Sequence, residues 1–222
     1  MKVRFLGSRV SIAVMAVVLA GCATTTPQSG ASFFVTSQGG GKGADFGGLA
    51  GADKHCQTLA AAAGLGDKTW RAYLSASAAG ATPAVNARDR IGTGPWKNVK
   101  SVVIATSVGE LHADNNLTKQ TALTEKGAVV NGRGDTPNQH DVLTGTQPNG
   151  TAFTGTDDKT CGNWTKGGEG SAIVGHIDRM GLPTSPVAEA TSWNSSHATR
   201  GCSDPALVST GGAGLLYCFA AK

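Results

Sequence analysis

Aromatic side chains are scarce in this 222-residue chain, at 5% of the total, while glycines number 32. Hydrophobic residues make up 40%, which is enough for a core, and this profile fits a loop-rich α+β or mostly-β domain better than a helical bundle. Charge of one sign is also lacking. The formal net charge is +4, yet Lys2, Arg4 and Arg9 fall in an amino-terminal export segment, leaving 16 of the 19 basic residues against 15 acidic ones. That near-balance gives no electrostatic ground for binding nucleic acid or an anionic membrane surface. No internal repeat is present. No CxxC, HExxH or three-ligand zinc spacing occurs, so neither a redox motif nor a zinc site is expected. Ser171, in Gly168-Glu169-Gly170-Ser171-Ala172, lacks the spacing of a nucleophile elbow. The expectation is a protein that is not an enzyme.

What is present begins with export. Lys2, Arg4 and Arg9 precede the apolar run Val10 to Leu19, which is too short to span a bilayer as a mature helix. The run ends in Leu19-Ala20-Gly21-Cys22, which resembles a lipobox. That resemblance implies a signal peptide over residues 1–21, cleavage before Cys22, and lipid on the Cys22 thiol. Several acyl chains would make the membrane anchor stable. Ala23 stands where an aspartate would imply inner-membrane retention, so the outer membrane is expected, with the domain on its periplasmic face or at the cell surface. Residues 22–32 are small and polar, interrupted by Pro27 and Gly30, and read as a tether. Residues 33–222 remain for one domain.

Phe33 to Thr36 opens that domain as a strand. Gly39 to Gly43 does not make a phosphate loop, because Gly43 follows Lys42 where a hydroxyl residue is needed. From Gly47, Cys56, Leu59, Ala60 and Ala63 fall on one face of an amphipathic helix, with Gly64 placed at C′ and Leu65 placed to fold back. Trp70, Ala72 and Leu74 then alternate with Arg71 and Tyr73 as a half-buried strand. A second helix is expected from Thr82 as N-cap and Pro83 at N1, with Ala84, Ala87 and Ile91 as its apolar stripe. Val99 to Thr106 reads as a buried strand, Val142 to Phe153 as a hairpin turning at Gln147-Pro148-Asn149-Gly150, and Leu215 to Phe219 as a closing strand.

Four cysteines besides Cys22 are present: Cys56, Cys161, Cys202 and Cys218. In an oxidising envelope they should pair, and spacing leaves all three connectivities open. Several blocks resemble, in order, the endostatin domain of collagens. They are Gly51-Ala52-Asp53 through Cys56, Gly64-Leu65 and Trp70 to Ser75, then Thr144 to Gly150, Cys161-Gly162-Asn163-Trp164, and Leu216-Tyr217-Cys218. That domain is a variant of the C-type-lectin-like fold, and similar domains occur in bacterial lipoproteins. The resemblance implies two helices packed on a twisted, mainly antiparallel sheet with long loops. It also implies two disulfides, Cys56–Cys218 and Cys161–Cys202. Their loops would contribute roughly 5 and 4 kcal/mol in the chain-entropy model.

Lectins of this fold hold calcium with a Glu/Gln-Pro-Asn/Asp tripeptide and a later Trp-Asn-Asp. Gln147, Asn149, Trp193 and Asn194 match in part, and Asp157 and Asp158 could add charge. Ser195 replaces the aspartate, and the tripeptide is already explained as a turn, so no metal is expected, with calcium at Asn149, Asp157, Asp158 and Asn194 as the weaker reading. Arg133-Gly134-Asp135 imitates an adhesion tripeptide in a polar loop. His55, His112, His140, His176 and His197 are dispersed; His112 with Asp114, and His176 with Asp178, are each placed to share a strand face. The amino-terminal zinc histidines and basic heparin surface of endostatin have no counterpart. The expected function is non-catalytic binding or adhesion through the loops between Glu110 and Arg200. The expected partner is a glycan, matrix or envelope-protein ligand. A ligand-free structural lipoprotein and a hydrolase built from distant loops are the alternatives.

Overall fold

The closing strand organises the molecule. In the computed structural model, which describes residues 1–2 and 30–221, it runs over ten residues. The expected cleavage site, Cys22 and most of the tether lie outside the described residues. Along this strand, alternate side chains enter two different cores. Leu216 and Cys218 face one, while Leu215, Tyr217 and Phe219 face the other. Period-two alternation of apolar residues on both faces is what a strand buried on two sides requires.

In chain order the strands are β1 (Phe33–Val35), β2 (Thr69–Ala72), β3 (Trp96–Lys97), β4 (Val103–Ala105), β5 (Asp141–Leu143), β6 (Ile173–His176), β7 (His197–Ala198) and β8 (Gly212–Ala221). The main sheet has the order β1-β8-β5-β6-β7, with β2 also on β8. Every pairing in it is antiparallel except β5 with β8, which is parallel. Strands β3 and β4 form a separate antiparallel pair. The architecture is α+β, few helices on a sheet, as expected.

Helix α1 (Gly48–Ala62) covers one face, burying Ala52, Cys56, Leu59 and Ala60. It ends as its sequence dictates. Gly64 is left-handed at φ +76°, Gly64 N donates to Ala61 O at 3.1 Å, and Leu65 N donates to Ala60 O at 2.8 Å. Those two bonds satisfy carbonyls that the helix end would otherwise leave open. Two disulfides are formed, Cys56–Cys218 between α1 and β8 and Cys161–Cys202 across the loops. Asp53 on α1 ties the helix to the sheet. It accepts from Ala72 N at 2.9 Å, and both of its oxygens accept from Arg90 Nη2 at 2.8 Å.

Three local expectations are corrected. The second helix is only a 3-10 turn, Ala87–Asp89; Thr82 instead bridges Ala79, and the turn begins after Asn86. A stripe of three small or single apolar residues buries too little to hold a longer helix. The Val99 to Thr106 strand shrinks to Val103–Ala105, because Ser101 is left-handed at φ 64° and Asn98 Oδ1 accepts from Lys100 N and Val102 N, making a turn. The Val142 to Phe153 hairpin does not form as a ladder. Its turn exists, with Gly150 N donating to Gln147 O at 2.9 Å, but only Thr146 and Ala152 bridge across it. Strand β5 is buried throughout and has both edges taken by β6 and β8, so its partners are distant in sequence. At the amino end, Ala31 is already buried and Ser32 Oγ accepts from Lys97 N, so the domain starts before Phe33.

Candidate metal centre

Strand register brings together residues that sequence spacing keeps apart. Asp141, first in β5, lies directly opposite His176, last in β6, and His197 in β7 lies opposite Val174. Residues opposite each other, and residues two apart on one strand, share a face. Asp141, His176 and His197 therefore project to one side of the sheet at one end. His140 joins them from just before β5, where the β5–β8 register shifts between Asp141 and Val142. Gly211 makes room for its ring. It is left-handed at φ +105°, and a Cβ there would stand 2.6 Å from Asn138 Nδ2 and 3.0 Å from His140 Cδ2. Only glycine fits that approach.

The result is three imidazoles around one carboxylate. Asp141 Oδ1 lies 3.2 Å from His140 Nε2, 3.3 Å from His176 Nε2 and 3.5 Å from His197 Nε2. The His140 and His176 rings stack at 4.3 Å and 10°. His140, Asp141 and His176 are buried and their nearest donor atoms all lie within 4.8 Å of one another, while His197 is half-buried at the rim.

Each imidazole is oriented through its other nitrogen. His140 Nδ1 faces Asp178 Oδ1 at 3.2 Å, His176 Nδ1 faces Ala190 O at 2.9 Å, and His197 Nδ1 faces Ala198 O at 3.2 Å. A carboxylate or carbonyl can only accept, so each Nδ1 carries a proton, and Nε2 is the nitrogen left to face Asp141. Asp178 is itself fixed, accepting from Arg133 N at 2.6 Å and Met180 N at 3.0 Å. Burial works to raise the Asp178 carboxyl, but its bonds with His140 and with these amides outweigh that and hold it below its ordinary value.

Asp141 is in an unusual position. Both of its carboxylate oxygens, and His176 Nε2, are buried without a hydrogen-bond partner. Burial pushes its pKa up, and the imidazoles of His176, His197 and His140 outweigh that and hold it low. Reciprocally, the Asp141 carboxylate raises the His197 imidazole. A buried carboxylate ringed by three imidazole nitrogens calls for positive charge among them, supplied by protons on Nε2 or by a metal ion.

The residues singled out in the sequence sit elsewhere. Asn194 is buried, and its amide donates to Tyr73 Oη at 2.9 Å, to Pro148 O at 3.1 Å and to Gln147 O at 3.3 Å. The Gln-Pro and Trp-Asn segments are thus in contact, but through donors spent on carbonyls. Gln147 and Asn149 bond within their own turn, to Thr151 and Ala152. Asp158 accepts from Thr160 N and Gly162 N, and Asp157 is exposed near Lys159 at 3.6 Å. Trp193 is buried against Tyr73 and Tyr217. In the Arg133-Gly134-Asp135 loop, Asp135 pairs with Lys119 at 2.5 Å.

The one sign in the sequence is that His140-Asp141 directly precedes the apolar Val142-Leu143, and His176 closely follows Ile173-Val174. His176 and Asp178, two residues apart, do not bond each other; Asp178 serves His140, and His176 faces Asp141. Comparison with protein-family models and with curated proteins finds no match for this chain, so its functional reading rests on these four side chains and their surroundings.

Proposed function

We propose that this protein is a lipid-anchored envelope protein whose single domain, of the C-type-lectin-like class, is a binding module built on a divalent transition-metal ion. The ion is held by His140, Asp141 and His176, with His197 closing the shell on the solvent side. One observation carries this reading: three histidine Nε2 atoms stand 3.2, 3.3 and 3.5 Å from one buried, unpartnered carboxylate oxygen. Bonds of 2.0–2.1 Å at tetrahedral angles place neighbouring ligand atoms about 3.3 Å apart. Three imidazoles and one carboxylate suit zinc and its transition-metal neighbours and are too poor in oxygen for calcium. The bonds from the other ring nitrogens to Asp178, Ala190 and Ala198 are of the kind that orient metal-bound imidazoles. For the domain class, the support is the stapling of α1 to the closing strand and the second disulfide across the loops, the pairing that the endostatin-like blocks imply.

The test is calorimetric titration of the chelator-treated protein with Zn²⁺. About one ion should bind per chain, and His176→Ala should weaken binding by roughly 100-fold or more, since a ligand contributes more than the groups that orient it, which are worth about 10–100-fold. Zinc affinity weaker than about 1 mM in the wild type would sink the proposal.

A further inference from the structure

The metal centre opens on one side. His140, His176 and His197 line a cleft of about 660 Å³ together with Arg133, Arg200, Leu182 and Val208. An ion bound by the buried ligands would therefore face this cleft, at the position where His197 sits at the rim. Zinc held by these side chains can take an exogenous group on this open side by expanding to five-coordinate.

The rest of the cleft shows what kind of group. Arg133 and Arg200 line it, no aspartate or glutamate does, and neither guanidinium forms an ion pair with a carboxylate among the described residues. Other cationic side chains do find carboxylates: Arg90 and Arg71 with Asp53, Lys119 with Asp135, Lys166 with Asp158. Arg133 is also placed by the site itself, since its amide donates to Asp178, the carboxylate that orients His140. Guanidinium groups suit the planar fork of a carboxylate or phosphate. Beside them, Leu182 and Val208 are 57% and 60% exposed and form an apolar wall.

We infer that the cleft binds a small oxyanion, a carboxylate or phosphate carried on an apolar group, with one oxygen on the metal and the anion between Arg133 and Arg200. This inference rests on the metal reading. Metal and arginines supply the recognition of charge, and Leu182 and Val208 supply preference for the apolar part.

The experiment uses the purified protein loaded with Co²⁺, whose visible bands report changes of coordination. Acetate, butyrate and inorganic phosphate are titrated separately. Butyrate or phosphate should perturb the bands saturably. Butyrate should bind roughly tenfold tighter than acetate if its two added methylenes reach the apolar wall. Arg200→Gln and Arg133→Gln should each weaken anion binding about tenfold while leaving cobalt affinity unchanged, which separates loss of the anion contact from loss of the fold. Bands insensitive to all three anions in a cobalt-loaded protein overturn this inference alone. Equal anion affinity in wild type and both arginine variants does the same. Failure of cobalt to bind removes the metal reading and this inference with it.

Discussion

Replacing Asp141 with asparagine should change the sign of its stability effect depending on whether metal is present. In the metal-free protein at about pH 8, above the ordinary imidazole range, the wild type buries a carboxylate with neither oxygen hydrogen-bonded and leaves His176 Nε2 bare. Asparagine removes the charge, and its amide can donate to His176 Nε2, which stands 3.3 Å from the oxygen it replaces. A buried polar group left unsatisfied is worth about 1–3 kcal/mol, so Asp141→Asn should stabilise the metal-free protein by about 1 kcal/mol or more. For a domain of this size that raises the melting temperature by about 2–4 °C per kcal/mol. With Zn²⁺ at 100 times the wild-type dissociation constant, the wild type gains about 2.7 kcal/mol. A variant binding 100-fold more weakly gains only about 0.4 kcal/mol at the same concentration. The order of stabilities therefore inverts, with the wild type ahead by about 1 kcal/mol. Differential scanning calorimetry in chelator and in zinc reads both numbers. If Asp141→Asn destabilises equally in the two conditions, the cluster is an ordinary buried polar network and the metal assignment is wrong.

Three further outcomes are expected. Asp53→Ala should destabilise by about 3–5 kcal/mol in denaturant unfolding, because it strands the Arg90 guanidinium, whose side chain is 8% exposed; a loss below about 1 kcal/mol would mean that the pair only decorates the helix–sheet contact. His112 has its pKa lowered, chiefly by burial, with its bond to Val108 O opposing and Arg88 assisting. The unfolded chain thus binds the proton more readily, so the stability linked to neutral His112 is present above the ordinary imidazole value and is lost as pH falls from there through the lowered folded value; His112→Gln should flatten that part of the pH–stability curve relative to wild type, and identical curves would refute it. Finally, Cys22→Ala should abolish incorporation of labelled palmitate and release the protein from membranes, whereas retained label would place the lipid elsewhere.

How much of this was legible in the sequence follows from the range of the interactions concerned. Helix α1 was readable because its signals are local: an apolar face at helical spacing, then Gly64 and Leu65 making the two bonds that end it. Strand β2 was readable from alternation and β1 and β8 from short apolar runs, β8 being understated at five residues against ten. The second helix failed because Thr82 and Pro83 supply a helix start with too little apolar surface behind it. The 142–153 hairpin failed for the opposite reason. Its turn chemistry was right, but Val142 and Leu143 bury more surface between β6 and β8 than they would across a local ladder, and tertiary burial overrides turn propensity.

The metal centre was illegible for a related but stronger reason. A helical zinc motif announces itself because one helix turn sets the spacing of its ligands, whereas here the spacing is set by strand order. Asp141 meets His176 only if β5 pairs with β6, and His197 joins only if β7 adds to the far edge. Thirty-four residues between Asp141 and His176, and twenty between His176 and His197, carry no information about that order. The same topology binds the site to the scaffold. Gly211, which admits the His140 ring, immediately precedes β8, and β8 is the strand that Cys218 staples to α1 through Cys56. Holding β8 in place therefore also holds the gap in which His140 sits. That connection gives the Cys56–Cys218 disulfide a measurable consequence for the proposed binding: reducing it should weaken zinc affinity in the same titration, even though no cysteine is among the proposed ligands.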